Sequence, residues 1–450
     1  MSAASTPASW SGLPRARRPV VATALSMAMD PEGFFEACRQ RRGDPFVVGM
    51  PTVGEVLVSG EPEAAKELFS ASPDAFEPLK SNPVEPLLGT HSLLLLAGER
   101  HRRERKLMNP PFHGDRMRAY GAIIRDRAVA ERESWRSGDV VVLQKAMRGI
   151  TLDVILRAVL GIEGDARVER VRLAVAAMLD AYTPPLLVLP ALRRSIASLG
   201  PWAKFAEARD VVRELFAEEI SERRRQGTAG REDILSLLMD ARYDDGAGLT
   251  EGELIDELRT LIVGGHDTTM NALVWTFVLL HRDPAVLKVL REELAPLGPR
   301  PDAEALSQLP YLGAVCSEAL RLHPVVPIVP RRALRPFVFR GYAVEAGQSV
   351  AVSTTLLHTN PRIWKNPHGF DPSRFVQTKY TPFEYAPFGG GVRRCIGAAF
   401  GAFQMRIVLG TVLAGAKFAL YEGPVPARVL QGITMGPRGK VRLRYLGGVG

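Results

Sequence analysis

Phe388-Gly389-Gly390-Gly391-Val392-Arg393-Arg394-Cys395-Ile396-Gly397 decides the reading of this 450-residue chain. The stretch sets one cysteine in a glycine-rich loop, two residues after an arginine and at the start of an apolar helical run from Ile396 to Leu413. Three consecutive glycines let the backbone turn tightly and bring N–H groups close to a sulfur. The N-terminus of the helix that follows, with Arg393 and Arg394, favours the thiolate over the thiol. A lone cysteine is commonly just a small buried hydrophobe, but here the surrounding loop needs a reason too.

A thiolate held this way, with no second cysteine or histidine at zinc spacing, suits an axial bond to haem iron, where it favours O–O cleavage. The segment resembles the haem-binding signature of cytochromes P-450, Phe-x-x-Gly-x-Arg-x-Cys-x-Gly. Phe388, Gly391, Arg393, Cys395 and Gly397 occupy its fixed positions. The resemblance implies iron protoporphyrin IX with Cys395 as axial ligand. The haem is expected to be non-covalent haem b, because the chain has no Cys-x-x-Cys-His. The implied fold is mainly α with small β-sheets, a long central helix lying over a buried haem, as in soluble bacterial members of the family.

With 46% hydrophobic residues the chain can bury a large core. Its three cysteines, Cys38, Cys316 and Cys395, are far apart, which argues against a disulfide framework and for a reducing compartment. Cys38 and Cys316 fall in helical patterns and read as packing residues. The net charge of +9 comes from basic residues spread along the chain, without a recognisable nucleic-acid module, so an acidic protein partner is the better match. Arg15, Arg17 and Arg18 precede an apolar stretch, Val20 to Met29, that weakly imitates a secretory signal. It is too short to span a bilayer. Residues 1–30 are therefore expected to form a loose arm on a single domain of residues 31–450. The protein is expected to be cytoplasmic, without a membrane anchor.

Pro31 to Arg42 reads as a helix, and Phe46 to Ser59 as two strands around Pro51 and Gly54. Helical patterns then dominate to His323. Leu334 to Val352 reads as short strands broken at Gly341 and Gly347, and Val441 to Tyr445 as a last strand. Thr250-x-x-Glu253 is a capping box. The helix it opens should run to Asp283-Pro284, roughly 30 residues or about 45 Å. Inside it stands Gly264-Gly265-His266-Asp267-Thr268-Thr269. Each interior glycine costs about 1 kcal/mol relative to alanine, and a flat ligand against the helix would explain both. The segment resembles the family's Ala/Gly-Gly-x-Asp/Glu-Thr-Thr motif, which implies that Thr268 hydrogen-bonds dioxygen at the iron and Asp267 helps deliver protons. The bland alternative has Thr268 bonding back to the Gly264 carbonyl and kinking the helix. Gly264 stands where the family more often has alanine, which would leave room beside the iron.

Glu318-Ala-Leu-Arg321 puts a carboxylate and a guanidinium on one helical face. With Arg374 of Pro372-Ser-Arg-Phe375 it resembles the family's Glu-x-x-Arg and Pro-x-Arg-Phe pair, a structural support for the cysteine loop. His101 and Arg105, four apart, match a His-x-x-x-Arg whose side chains bind haem propionates. Arg393, with Arg331 or Arg332, is expected to join them. Arg102, Arg103 and Lys106 lie on another arc, read as a docking surface for a small acidic ferredoxin or flavodoxin-like donor.

By resemblance the substrate pocket is lined by Phe76 to Leu96, Leu179 to Leu192, Val325 to Val329 and Ile433-Thr434-Met435. These segments are nearly all apolar, as a fatty-acid or terpenoid substrate would require. The run Phe34 to Phe46 resembles bacterial members acting on such hydrophobes. The leading expectation is a monooxygenase that takes O2 and two electrons from a separate donor with its reductase, and hydroxylates or epoxidises an apolar substrate. A donor-independent peroxygenase or isomerase fits Asp267-Thr268 less well. A non-catalytic haem sensor leaves that pair without purpose.

Overall fold

The computed structural model describes residues 8–13, 20–50, 53–79, 82–112, 116–194, 199–421, 423–431 and 433–449. Its axis is the central helix, Glu251–Leu280. The Thr250 hydroxyl accepts the Glu253 N–H at 3.3 Å, and the Glu253 carboxylate accepts the Thr250 N–H at 2.9 Å. This is the reciprocal cap expected from the sequence. Asp283 ends the run by capping the next helix, Pro284–Leu294, through the N–H groups of Ala285 and Val286. Every residue from Thr269 to Leu280 is buried, so this half is a core helix, apolar on nearly every face.

The Leu143–Leu160 helix packs along the central helix. A Cβ built on Gly265 would stand 2.8 Å from Ile155 Cδ1, whereas one on Gly264 meets nothing within 4 Å. The two glycines therefore have different causes. Gly265 lets two helices close on each other, and Gly264 opens onto free space. The expectation that one flat ligand explains both holds at most for Gly264.

Valine-rich segments build a five-stranded sheet in the order Phe46–Met50, Gly54–Ser59, Ser349–Ser353, Ile328–Ala333, Phe76–Glu77. Its pairings are antiparallel except that between Gly54–Ser59 and Ser349–Ser353. Smaller sheets join Phe337–Phe339 to Tyr342–Val344, and Val140–Val142 to Arg442–Gly448 and Ala416–Phe418. Arg428–Gln431 pairs with Thr434–Pro437. Helix Pro31–Arg42, the first hairpin and the last strand lie where the sequence pattern put them. The helix after the cysteine runs Ala398–Gly415.

The N-terminal stretch differs from a loose arm. Ala8–Ser9 pairs in parallel with Tyr342 and Ala343. Trp10 is buried, its indole N–H donating to Gln348 Oε1 at 3.0 Å. Val20–Met29 forms a helix against Pro31–Arg42, with Thr23 and Ala24 buried. A short apolar run gives no sign in sequence of the surface it will meet. Arg15, Arg17 and Arg18 lie outside the described residues. Among the described residues one helix, Ala398–Gly415, is long and apolar enough to cross a membrane. It is 72% buried in the fold, as a core helix is.

Candidate functional site: a cysteine loop, a cation cluster and the central helix

The cysteine loop closes on itself where the Phe388 carbonyl accepts the Cys395 N–H at 2.9 Å. Gly389 and Gly391 both take φ of 65°, a left-handed conformation that glycine adopts without strain. Gly391 also approaches the Phe69 carbonyl so closely that a Cβ there would lie 2.1 Å from its oxygen, and a Cβ on Gly390 would enter the Phe69 ring. The loop is thus pinned to the helix Pro62–Phe69 by backbone contact. Phe388 is half-buried against the main core.

Cys395 is enclosed by the fold, yet its side chain remains accessible. Burial pushes its thiol up, against the pull of the Gly397 N–H, Arg105 and Arg394. Of the groups expected to favour the thiolate, Arg394 does act on Cys395 and Arg393 does not, and desolvation of the charged form outweighs the pull.

Beside the loop, the neutral His101 imidazole and three guanidinium groups, Arg105, Arg331 and Arg393, act on one another. The His101 imidazole is pushed down to about 4 by burial and then by Arg393, Arg105 and Arg331. Burial lowers both Arg331 and Arg393 to about 10, helped by the charge of Arg393 on Arg331 and of Arg105 on Arg393. Arg105 donates to the Arg394 carbonyl at 2.7 Å, Arg393 to the Leu96 carbonyl and Arg331 to the Pro330 carbonyl at 2.8 Å. Among the described residues no carboxylate acts on His101, Arg331 or Arg393. Arg332 does not join them: it is ion-paired with Glu77. The sequence left Arg331 and Arg332 open, and the structure puts Arg331 in the cluster.

On the central helix the Thr268 hydroxyl donates to the Gly264 carbonyl at 2.5 Å. That is the hydrogen bond of the bland alternative, without its kink or a solvated Asp267, and it leaves the hydroxyl oxygen's lone pairs free to accept. Asp267 is pushed up to about 6 by burial, with Arg148 opposing and Asp180 assisting. The neighbouring His266 is fully buried.

Glu318 and Arg321 are both fully buried. Arg321 uses all five N–H groups: Nε and Nη2 on the Glu318 carboxylate at 2.7 Å, the rest on the carbonyls of His358, Pro367 and Gly369. Arg374 Nε donates to Glu318 Oε1 at 3.0 Å, as does the Asp371 N–H. The three residues predicted to share one network are brought together.

The arc of Arg102, Arg103 and Lys106 is not a free basic face. Arg102 pairs with Glu99 and Asp74, Arg103 with Asp245 at 2.6 Å and Lys106 with Asp244 at 2.7 Å. Sequence could not show that residues 244 and 245 fold back onto this helix. A cavity of about 640 Å³ lies against the cysteine loop, lined among others by Phe69, Cys316, Tyr385, Phe388, Arg394 and Arg406.

The four pocket segments meet in two pairs. The Tyr182 hydroxyl donates to the Pro83 carbonyl, and the Met435 N–H to the Val325 carbonyl at 2.9 Å. Asn271 on the central helix donates to Thr434 at 3.0 Å. Glu77, Glu85 and Arg332 line a side cavity of about 410 Å³, so the surroundings are less uniformly apolar than the sequence reading had them.

A family model, cytochrome P450, matches residues 12–440. The chain belongs to the cytochrome P450 family. Two mycobacterial relatives are each 33% identical. "Putative cytochrome P450 138" of Mycobacterium tuberculosis aligns over 89% of this chain and 88% of its own length. "Putative cytochrome P450 135B1" of Mycobacterium bovis aligns over 91% and 86%. The solved structure of retinoic acid bound cyanobacterial CYP120A1 superposes with a TM-score of 0.82, at 25% identity, covering 92% of this chain and 94% of that one. A cytochrome P450 is a haem monooxygenase with a cysteine thiolate on the iron. The residues present fit such a group: an accessible cysteine lies in the field of Arg105, the half-buried Arg105, Arg331 and Arg393 meet no carboxylate among the described residues, and Gly264 opens onto free space.

Two consequences for this P450 are testable. Gly264→Ala meets no atom within 4 Å and gains helix propensity, so it should raise thermal stability by about 0.5–1 kcal/mol. The added methyl narrows the free space and should shift the product distribution. Unchanged products with unchanged stability would refute both parts.

The second concerns Glu257, which sequence reasoning passed over because one glutamate in a long helix carries no signal. It is fully buried, and neither carboxylate oxygen has a hydrogen-bond partner. Burial and the facing Glu104 hold its pKa well above the carboxylate range, against the pull of the Leu93 N–H. A raised folded-state pKa means the unfolded chain releases its proton first, so stability is intact below the ordinary carboxylate value and declines as pH rises toward the folded one. Glu257→Gln removes that decline. Its melting temperature should vary less between pH 5 and 8 than the wild type's, and equal slopes would sink the argument.

Proposed function

We propose that this P450 is a monooxygenase that uses electrons from a separate donor to hydroxylate or epoxidise an apolar substrate of fatty-acid or terpenoid type. The observation that carries the reading is the cluster of neutral His101 with the half-buried Arg105, Arg331 and Arg393, on which no carboxylate acts among the described residues and of which Arg105 also acts on Cys395. Buried charge without a counter-charge is costly, and two propionates would supply the missing anions. In this reading the cofactor is haem b, whose iron Cys395 would ligate, with Phe388 and Gly264 among the residues that would hold it. When bound, haem supplies the iron at which O2 is reduced and split, and the metal's charge turns the raised Cys395 thiol into the thiolate.

The chain's own part is to hold the group, exclude water and move protons. The guanidinium forks of Arg105, Arg331 and Arg393 suit carboxylates, and His101 adds a neutral donor. Thr268, its proton committed to Gly264, presents lone pairs to the cleft and orders a donor there. Asp267, poised near pH 6, is close enough to neutrality to give and regain a proton in each cycle. Glu318, Arg321 and Arg374 hold the segment leading to the cysteine loop and touch no reactant.

The apolar substrate class rests on Leu87, Leu88, Leu93, Val325, Val329 and Met435, all buried in the segments named for the pocket. A ferredoxin or flavodoxin type of donor, with its reductase, is the partner of matching charge. With the Arg102 arc neutralised, its contact is best assigned to the exposed Arg394 and the cavity beside the cysteine loop. A cytoplasmic location accords with three dispersed cysteines.

The test is the carbon monoxide difference spectrum of dithionite-reduced protein purified with its haem. The far-red-shifted Soret band of a thiolate-ligated haem is expected. A haem spectrum without it would reduce the protein to a haem binder with another axial ligand.

A further inference from the structure

His266 lies between the glycines and the acid–threonine pair, and neither the haem fit nor the proton chemistry uses it. It comes from the central helix and reaches the Leu143–Leu160 helix, where Nδ1 stands 2.8 Å from Thr151 Oγ1. A threonine hydroxyl has one proton, and this one points to the Met147 carbonyl at 2.9 Å. What remains for His266 is a lone pair, so Nδ1 carries the ring proton and Nε2 is an acceptor. Nε2 is buried without a hydrogen-bond partner. The nearest titratable atom is Asp267 Oδ1, 3.3 Å away. Burial and Arg148 push the imidazole down to about 3, so it stays neutral. Such a nitrogen accepts from a protonated carboxyl and opposes an ionised one.

The other charges around Asp267 are Arg148 from the Leu143–Leu160 helix and Asp180 from the Asp165–Ala181 helix. Arg148 favours the carboxylate, but it is paired with Asp180 at 2.8 Å. Asp267 thus stands between a cation already engaged and a lone pair not engaged at all.

We propose that His266, with its tautomer set by Thr151, is a positioning residue that keeps Asp267 loaded with a proton between turnovers. This rests on the reading of Asp267 as the proton-delivering acid. On delivery the Asp267 O–H bond breaks and the proton passes toward the cleft. The carboxylate left behind faces Arg148, and a proton from water restores the acid against Nε2. His266 is never itself protonated.

The test removes the lock and leaves the acid. Thr151→Val keeps the volume and deletes the lone pair, so the ring is free to carry its proton on Nε2 and donate it to the Asp267 carboxylate. In the holoprotein the ionisation midpoint of Asp267 should fall by about one pH unit, a tenfold rise in its ionisation constant. It is read from the protonated C=O stretch by pH-difference infrared spectroscopy, assigned by its absence from Asp267→Asn. Thr151→Ser should restore the wild-type midpoint, which a packing effect of the lost methyl would not. His266→Gln, bringing an amide N–H, should lower it as well and serves if Thr151→Val fails to fold. A midpoint that stays or rises in the variants overturns the proposal. If Asp267→Asn leaves the fraction of electrons recovered in product unchanged, the assignment of Asp267 fails instead, and the infrared midpoints distinguish the two failures.

Discussion

Cys395→Ala should give a folded protein that still takes up haem, lacks the far-red Soret band in its reduced carbon monoxide spectrum, and turns over at background. The expectation divides because the loop and the ligand are held by different atoms. The loop conformation comes from the Phe388–Cys395 backbone hydrogen bond and from the approach of Gly390 and Gly391 to Phe69, none of which involves Sγ. The cation cluster beside it is likewise untouched, so the propionates keep their partners and haem retention weakens without vanishing. Only the axial bond is lost. No other cysteine can substitute: Cys38 is buried far from the loop, and burial pushes the thiol of Cys316, on the cavity beside the loop, up to about 12. A variant that kept the thiolate spectrum would mean that Cys395 is not the ligand, and the functional reading would fall with it.

The residues legible in sequence are those whose partners are local or whose motif spacing is short. The Thr250–Glu253 cap, the Pro31–Arg42 helix and the hairpin turning at Gly54 follow from neighbours three or four positions apart. So do His101 and Arg105, and Glu318 and Arg321. What could not be read depends on distant segments meeting. Gly265 needed Ile155 to explain it, and Gly391 needed the Phe69 carbonyl. The choice of Arg331 over Arg332 turned on Glu77, more than 250 residues away. The Arg102–Lys106 arc failed as a free docking face because Asp244 and Asp245 return to cover it. A charge run in sequence shows which sign is present and not which sign it will meet. Hydrophobic runs fail in the same manner: Val20–Met29 showed its apolarity but not the helix and strand it would pack on.

The buried carboxylates separate two kinds of polar burial in one core. Glu257 is enclosed with no side-chain donor, only the Leu93 N–H opposing the rise of its pKa, so its removal should relieve the fold as pH rises. Glu318 is enclosed by donors and carries the charge that two guanidinium groups require. Glu257→Ala and Glu318→Ala would delete the same atoms, and the consequences should differ in size. The difference lies in what is left behind.

Glu318→Ala should therefore be the most damaging single change away from the cysteine, costing about 3–5 kcal/mol. It leaves Arg321 fully buried and Arg374 nearly so, without the carboxylate that receives three side-chain hydrogen bonds from them. It also frees the Asp371 N–H and loosens the chain from Pro367 to Arg374, which Arg321 grips through the Pro367 and Gly369 carbonyls. The Trp364 ring, 4.9 Å from the Arg321 guanidinium, loses its fixed cation as well. Because that chain leads directly into the cysteine loop, haem loss should accompany the drop in stability. Denaturant midpoints of the holoprotein and the rate of haem transfer to an apo acceptor measure the two together. Glu318→Gln, which keeps the oxygen facing Arg321 but not the charge, should fall between wild type and Ala. If Glu318→Ala costs under about 1 kcal/mol, as an exposed pair would, the network is not what secures the loop.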